Sequence, residues 1–180
     1  MRILGAVLAG GQSSRFGSDK AQAMLDGVSL LDHAVAALAP YCTRVVVCGR
    51  HDPRHHTLAD RPAPGLGPLG GLNAALHLAL EQDYAGVLVT GCDMPCFPEA
   101  LACALIGKDA AVLDGQHLAA WWPASLAPLL DDHLAHSRSR ALRGWMDLVS
   151  PRVVRLPDLA MPNINHPEDL AALRSGDRHD

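Results

Sequence analysis

The chain has 180 residues, 49% of them apolar, and a net charge of −4 at neutral pH. No apolar run reaches the ~18 uninterrupted residues that a membrane-spanning helix needs, and no basic block is present to grip nucleic acid without sequence preference. Five cysteines, odd in number and without a C-x-x-C pair, argue against a disulfide framework or a zinc knuckle and point to a reducing cytoplasm.

This length and composition lead to the expectation of one α/β domain over residues 1–175, with a disordered tail at 176–180. The apolar run Ile3 to Ala9 reads as a buried parallel strand, and it is too short for a secretory signal. It delivers Leu8, Ala9, Gly10 and Gly11 into a loop that ends at Lys20. Glycines there let the backbone turn and approach a ligand, and exposed amides in such a turn cup anions. Ser13, Ser14 and Ser18 add hydroxyls, while Arg15 offers a fork to phosphate and Lys20 a compact charge. The loop reads as a polyphosphate cradle, although it has neither the G-x-x-x-x-G-K-[ST] nor the G-x-G-x-x-G spacing.

Ser29 is placed to cap a helix over Leu30 to Ala39 that Pro40 closes, and Arg44 to Cys48 reads as the second strand. His51, Asp52, His55 and His56 are read as a solvated connector rather than a metal site. Asp60 precedes a Pro/Gly-rich stretch, Arg61 to Gly71, that reads as loop, with a helix resuming from Leu72. Glycines such as Gly67 just ahead of a helix suit close approach to an anionic ligand.

Gly86 to Thr90 is a third buried strand, and it ends in Gly91-Cys92-Asp93-Met94-Pro95. Ligands of open α/β sheets bind beyond the carboxyl ends of the strands. A carboxylate there can cap a turn or hold Mg²⁺, and with Arg15 and Lys20 nearby the metal role is preferred for Asp93. A helix follows from Pro98 to Leu105. Then come a hairpin about Asp114-Gly115, helices at Leu126 to Leu134 and Ala141 to Val149 flanking Ser137 to Arg140, and a last strand at Val153 to Leu156. Asn163 and Asn165, two apart in an extended segment before a terminal helix, offer their amides to one ligand or serve as turn residues.

The segment Leu8 to Lys20, LAGGQSSRFGSDK, resembles the L-A-G-G-x-S-x-R-[MF]-G-x-D-K signature of nucleotidyltransferases. The resemblance is strongest to the molybdenum cofactor guanylyltransferases. It continues in order through Asp60 with Gly67 to Gly71, then Cys92 to Pro95, then Asn163 to Asn165 with Pro167 to Leu170.

The resemblance implies a single three-layer α/β domain with a mainly parallel sheet and a Rossmann-like nucleotide half. It implies transfer of GMP from GTP to molybdopterin with Mg²⁺ as cofactor. It further implies that molybdenum-insertion proteins and client apo-molybdoenzymes are partners. On it, Leu8, Ala9, Gly10, Gly11, Arg15, Lys20 and Gly67 serve the nucleotide. Asp60 faces guanosine with Cys48 beside the base, Asp93 binds Mg²⁺, and His117, Asn163 and Asn165 face the acceptor. Cys48 replaces an asparagine of some relatives, and Leu118 a common proline. The competing readings are a cytidylyltransferase on the same acceptor, another small-molecule nucleotidyltransferase, and a non-catalytic GTP-binding or cofactor-delivery module.

Overall fold

The computed structural model describes residues 1–10, 19–137, 141–157, 159 and 164. In chain order the elements are β1 (Ile3–Leu8), a ribbon of β2 (Met24–Leu25) and β3 (Val28–Ser29), α1 (Leu30–Leu38), β4 (Arg44–Cys48), β5 (Thr57–Leu58) and α2 (Pro68–Glu81). They continue with β6 (Gly86–Gly91), α3 (Glu99–Leu105), β7 (Ala111–Leu113), β8 (Gln116–Pro123), α4 (Ala127–His136), α5 (Leu142–Val149) and β9 (Arg152–Val154).

Seven strands form one sheet in the order β5-β4-β1-β6-β8-β7-β9. Only β8 runs against its neighbours, pairing antiparallel with both β6 and β7. Alternation along the strands sorts side chains onto two faces. Leu4, Ala6, Leu8, Val46, Val87 and Trp122 pack under α2, α4 and α5. On the other face, Ile3, Val7, Val47, Leu88 and Trp121 meet α1 and α3. Every residue of β1 is buried, because both faces of this central strand are covered. The result is the expected three-layer arrangement.

Local chemistry sets most boundaries where the sequence places them. The Ser29 hydroxyl accepts the Asp32 amide at 3.1 Å and donates to the Asp32 carboxylate at 2.6 Å, starting α1. The Asp114-Gly115 turn joins β7 to β8, with Gly115 at φ +74°.

Two expectations are corrected. Helix α2 begins at Pro68, not after Gly71, because proline fits the first helical position and the glycines let this turn pack closely on Asp60 and Cys48. The ribbon β2–β3 and the short β5 are elements that the sequence reading does not name. Asp52 is buried, not solvated: Arg54 grips its carboxylate and holds it well below the usual range, and His55 Nε2 lies 2.7 Å from Asp32. Among the described residues no helix is long and apolar enough to cross a membrane. The expected terminal helix, the tail and Arg138 to Arg140 lie outside the described residues.

Candidate active site

Parallel pairing fixes where the loops emerge. Leu8, the last residue of β1, is in register with Cys48 at the end of β4 and Gly91 at the end of β6. The chain therefore leaves three adjacent strands side by side at the carboxyl edge of the sheet. The Ala9 amide donates to the Cys48 carbonyl at 3.0 Å, carrying the pairing one residue further.

Just beyond, Gly10 and Gly49 cross backbone to backbone. A Cβ on Gly49 would sit 2.7 Å from the Gly10 Cα, and Gly49 has φ +83°, so both the space and the conformation require glycine. Gly49 was not anticipated as a site residue. The first loop resumes at Asp19, which caps a single short helical turn, Lys20 to Gln22, by accepting the Ala21 amide at 3.2 Å. From that turn the Lys20 ammonium reaches Asp93 Oδ2 at 3.3 Å; the two side chains are 11% and 22% exposed. Leu8, Ala9, Gly10, Lys20, Gly91 and Asp93 line one cleft.

Arg50, the second residue past β4, was also not anticipated. Its guanidinium donates to both oxygens of Asp19, at 2.8 and 2.5 Å. This fork lowers the Asp19 pKa and raises that of Arg50. Cys92 also lines the cleft, where burial chiefly, and Asp93 next, push its thiol to about 11.

Asp60 occupies the adjoining corner, against Gly49 and the first turn of α2. Its Oδ1 is buried with no hydrogen-bond partner among the described residues. Burial raises the Asp60 pKa. Such an atom is costly to leave unpaired and suits a ligand that donates to it. Cys48 is 1% exposed, and its thiol, pushed to about 12 by burial and by Asp60, is shut beneath α2. Its side chain packs under the corner instead of lining the cleft. Gly67 precedes α2 at the helix N-terminus. His117 lies at the exposed start of β8, next to Leu118, which lines the cleft. Gly11, Arg15, Asn163 and Asn165 lie outside the described residues.

Among the described residues, no group of three or more His, Cys, Asp and Glu side chains is arranged to hold a metal ion. Of the histidines after β4, His55 joins Asp32, while His51 and His56 are exposed. A carboxylate opposite a cation beyond the carboxyl ends of β1 and β6 has the composition of a polyphosphate site.

Comparison with known proteins agrees with this geometry. Residues 5–151 match the MobA-like NTP transferase domain. A molybdenum cofactor guanylyltransferase of Rhodobacter capsulatus is 35% identical over 99% of this chain and 97% of its own. Another, from Sinorhizobium fredii, is 32% identical over 94% of this chain and 89% of its own. Among solved structures, molybdopterin-guanine dinucleotide biosynthesis protein A from Archaeoglobus fulgidus is 24% identical with a TM-score of 0.70, covering 96% of this chain and 97% of that one. The same fold, at TM-score 0.70 and 16% identity, is found in a 2-C-methyl-D-erythritol 4-phosphate cytidylyltransferase from Thermus thermophilus, with 99% of each chain covered. A match over this span, carried by full-length relatives above 30% identity, places the chain in the MobA-like NTP transferase family.

Proposed function

We propose that this protein is a molybdenum cofactor guanylyltransferase: it transfers GMP from GTP to molybdopterin, forms the guanine dinucleotide and releases pyrophosphate. The observation that carries the reading is the Lys20–Asp93 pair, a cation and a carboxylate set 3.3 Å apart where β1 and β6 end side by side. The identity of the full-length relatives supports the choice of substrates.

The attacking group is the terminal phosphate of molybdopterin. Its second pKa is ~6, so it is mostly a dianion at neutral pH and needs no general base. One of its oxygens bonds to the α-phosphorus of GTP as the bond to the bridging oxygen breaks, and that electron pair leaves with pyrophosphate. The obstacle is mutual repulsion of two polyanions, so positioned cations carry the catalysis. Lys20 and Arg15 hold charge on the departing pyrophosphate, and Gly10 and Gly11 are assigned to the phosphates.

The donor set fits Mg²⁺, which takes few protein carboxylates and fills its shell with substrate phosphate and water. Asp93 would hold it, and when bound it would neutralise triphosphate oxygens. Asp60 directs its unpaired oxygen toward the adjacent N–H donors of guanine. His117, Asn163 and Asn165 are assigned to the acceptor. Molybdenum-insertion proteins and apo-molybdoenzymes are the proposed protein partners, in the cytoplasm.

Calorimetric titration with GTP, CTP and ATP, each with and without Mg²⁺, tests the nucleotide half. Mg²⁺-sensitive binding selective for GTP is expected. Preference for CTP would move the protein to cytidylyl transfer, and binding of no nucleotide would remove the reading.

A further inference from the structure

We infer that Arg50 is a positioning residue, which acts through Asp19 to aim the Lys20 ammonium at Asp93. The inference rests on the reading of Lys20 and Asp93 as the catalytic pair. Lys20 ends a flexible four-carbon stem with freely rotating donors, so nothing in its own chemistry fixes where its charge lies. What can be fixed is the backbone from which it projects. That backbone is a single turn, too short to hold itself, and its one side-chain cap is Asp19.

Arg50 holds this cap. Both Asp19 oxygens are engaged by one guanidinium, at 2.8 and 2.5 Å, while Oδ1 also takes the Ala21 amide at 3.2 Å. A planar fork on a planar carboxylate fixes distance and rotation together, which a lysine at the same place would not do. The fork ties together the loops leaving β1 and β4, the two strands whose ends are already locked by the Gly10–Gly49 crossing. Arg50 is mostly enclosed, at 19% exposure, and its Nε is buried with no acceptor among the described residues. Asp19, on the other side of the fork, is 52% exposed, so what sets this pair apart from a simple exposed ion pair is its two-pronged geometry at the cap of the catalytic turn.

Lys20 and Lys108 are the only lysines in the sequence, so selective lysine labelling yields a spectrum with two side-chain signals. In the intact protein the Lys20 ¹³Cε and ¹⁵Nζ shifts should stand apart from those of exposed Lys108. In Arg50→Ala and Asp19→Asn they should move toward the Lys108 values, and Arg50→Lys should restore the intact position only in part. In the transfer assay, Arg50→Ala should lower kcat by roughly 10–100-fold, the scale of a displaced catalytic group. The KM for GTP should change less than about threefold, because the misplaced charge acts in the transition state. Placed on Lys20→Ala, Arg50→Ala should cost nothing more.

An unmoved Lys20 signal in a folded Arg50→Ala protein would overturn the inference. A full additional loss on the Lys20→Ala background would do the same. Asp19→Asn provides the same tests if Arg50→Ala fails to fold. The spectroscopic arm uses no substrate, so a wild-type protein that transfers no GMP would count against the proposed function while Arg50 is still judged by Lys20.

Discussion

Where β1, β4 and β6 end, charged side chains are held by one another, and all of them but the half-exposed Asp19 are largely enclosed. Lys20 faces Asp93, Arg50 grips Asp19, and Asp60 lies against the first turn of α2. Where β7 and β9 end, the same edge opens into a groove of about 660 Å³ bordered by Leu113, Gln116, Leu156 and Leu159. Its ion pair, Asp114 with Arg155 at 3.0 Å, is 55% and 78% exposed. The difference follows from topology. Three parallel strands in register converge their loops, so each supplies a partner to the next; the hairpin β7–β8 and the edge strand β9 converge on nothing comparable. One region is therefore organised before substrate arrives, and the other leaves space.

Substitutions sharpen this contrast, the largest effects falling in the enclosed region. Lys20→Ala is expected to lower turnover by on the order of 10²-fold or more, as loss of one preorganised charge does; turnover equal to wild type would remove Lys20 from the mechanism. Asp93→Asn should raise the Mg²⁺ concentration needed for half-maximal rate, and an identical Mg²⁺ titration would exclude Asp93 as the ligand.

Gly49→Ala forces a Cβ against Gly10 at φ +83°. A cost of about 1–3 kcal/mol is expected for such strain, read as a fall of several degrees in Tm. A Tm equal to wild type would mean that the crossing relaxes freely.

Asp60→Asn should separate function from stability. Because burial raises the Asp60 pKa, the stability it contributes is present below the ordinary aspartate range and is lost as pH rises through the raised value. At pH 7 the ionised carboxylate therefore burdens the fold. The variant should melt above wild type there, the gap should close as pH falls through ~4, and GTP should bind more weakly. A variant less stable at pH 7 would contradict this. The smallest effect belongs to the open region: Arg155→Ala should leave Tm within about 1–2 °C and GTP affinity unchanged, as for other exposed pairs.

The contrast also explains what the sequence makes legible. Buried strands and capped helices announce themselves locally: β1, β4 and β6 are continuous apolar runs, and Ser29 sits one residue before α1. The pairs β2–β3 and the strand β5 hold two residues each, too few for any periodicity, and exist because a neighbour pairs with them. Pro68 to Gly71 has the composition of a loop, yet it folds as helix because close packing against Asp60 and Cys48 favours residues without bulk. Lys20 and Asp93 could be named from their motifs and their places after strands. Gly49 and Arg50 could not, since their partners Gly10 and Asp19 are distant in sequence and meet them only because β4 pairs with β1. The clue was present all the same: they are the first residues past the strand beside the glycine-rich loop.

The most direct test is transfer itself. Purified protein is mixed with GTP labelled at its α-phosphate, molybdopterin and Mg²⁺, and labelled dinucleotide and pyrophosphate are measured together. One pyrophosphate released for each labelled dinucleotide, with CTP a poor substitute, is the predicted result. Bound or hydrolysed GTP without labelled dinucleotide, or faster transfer from CTP, would contradict the account.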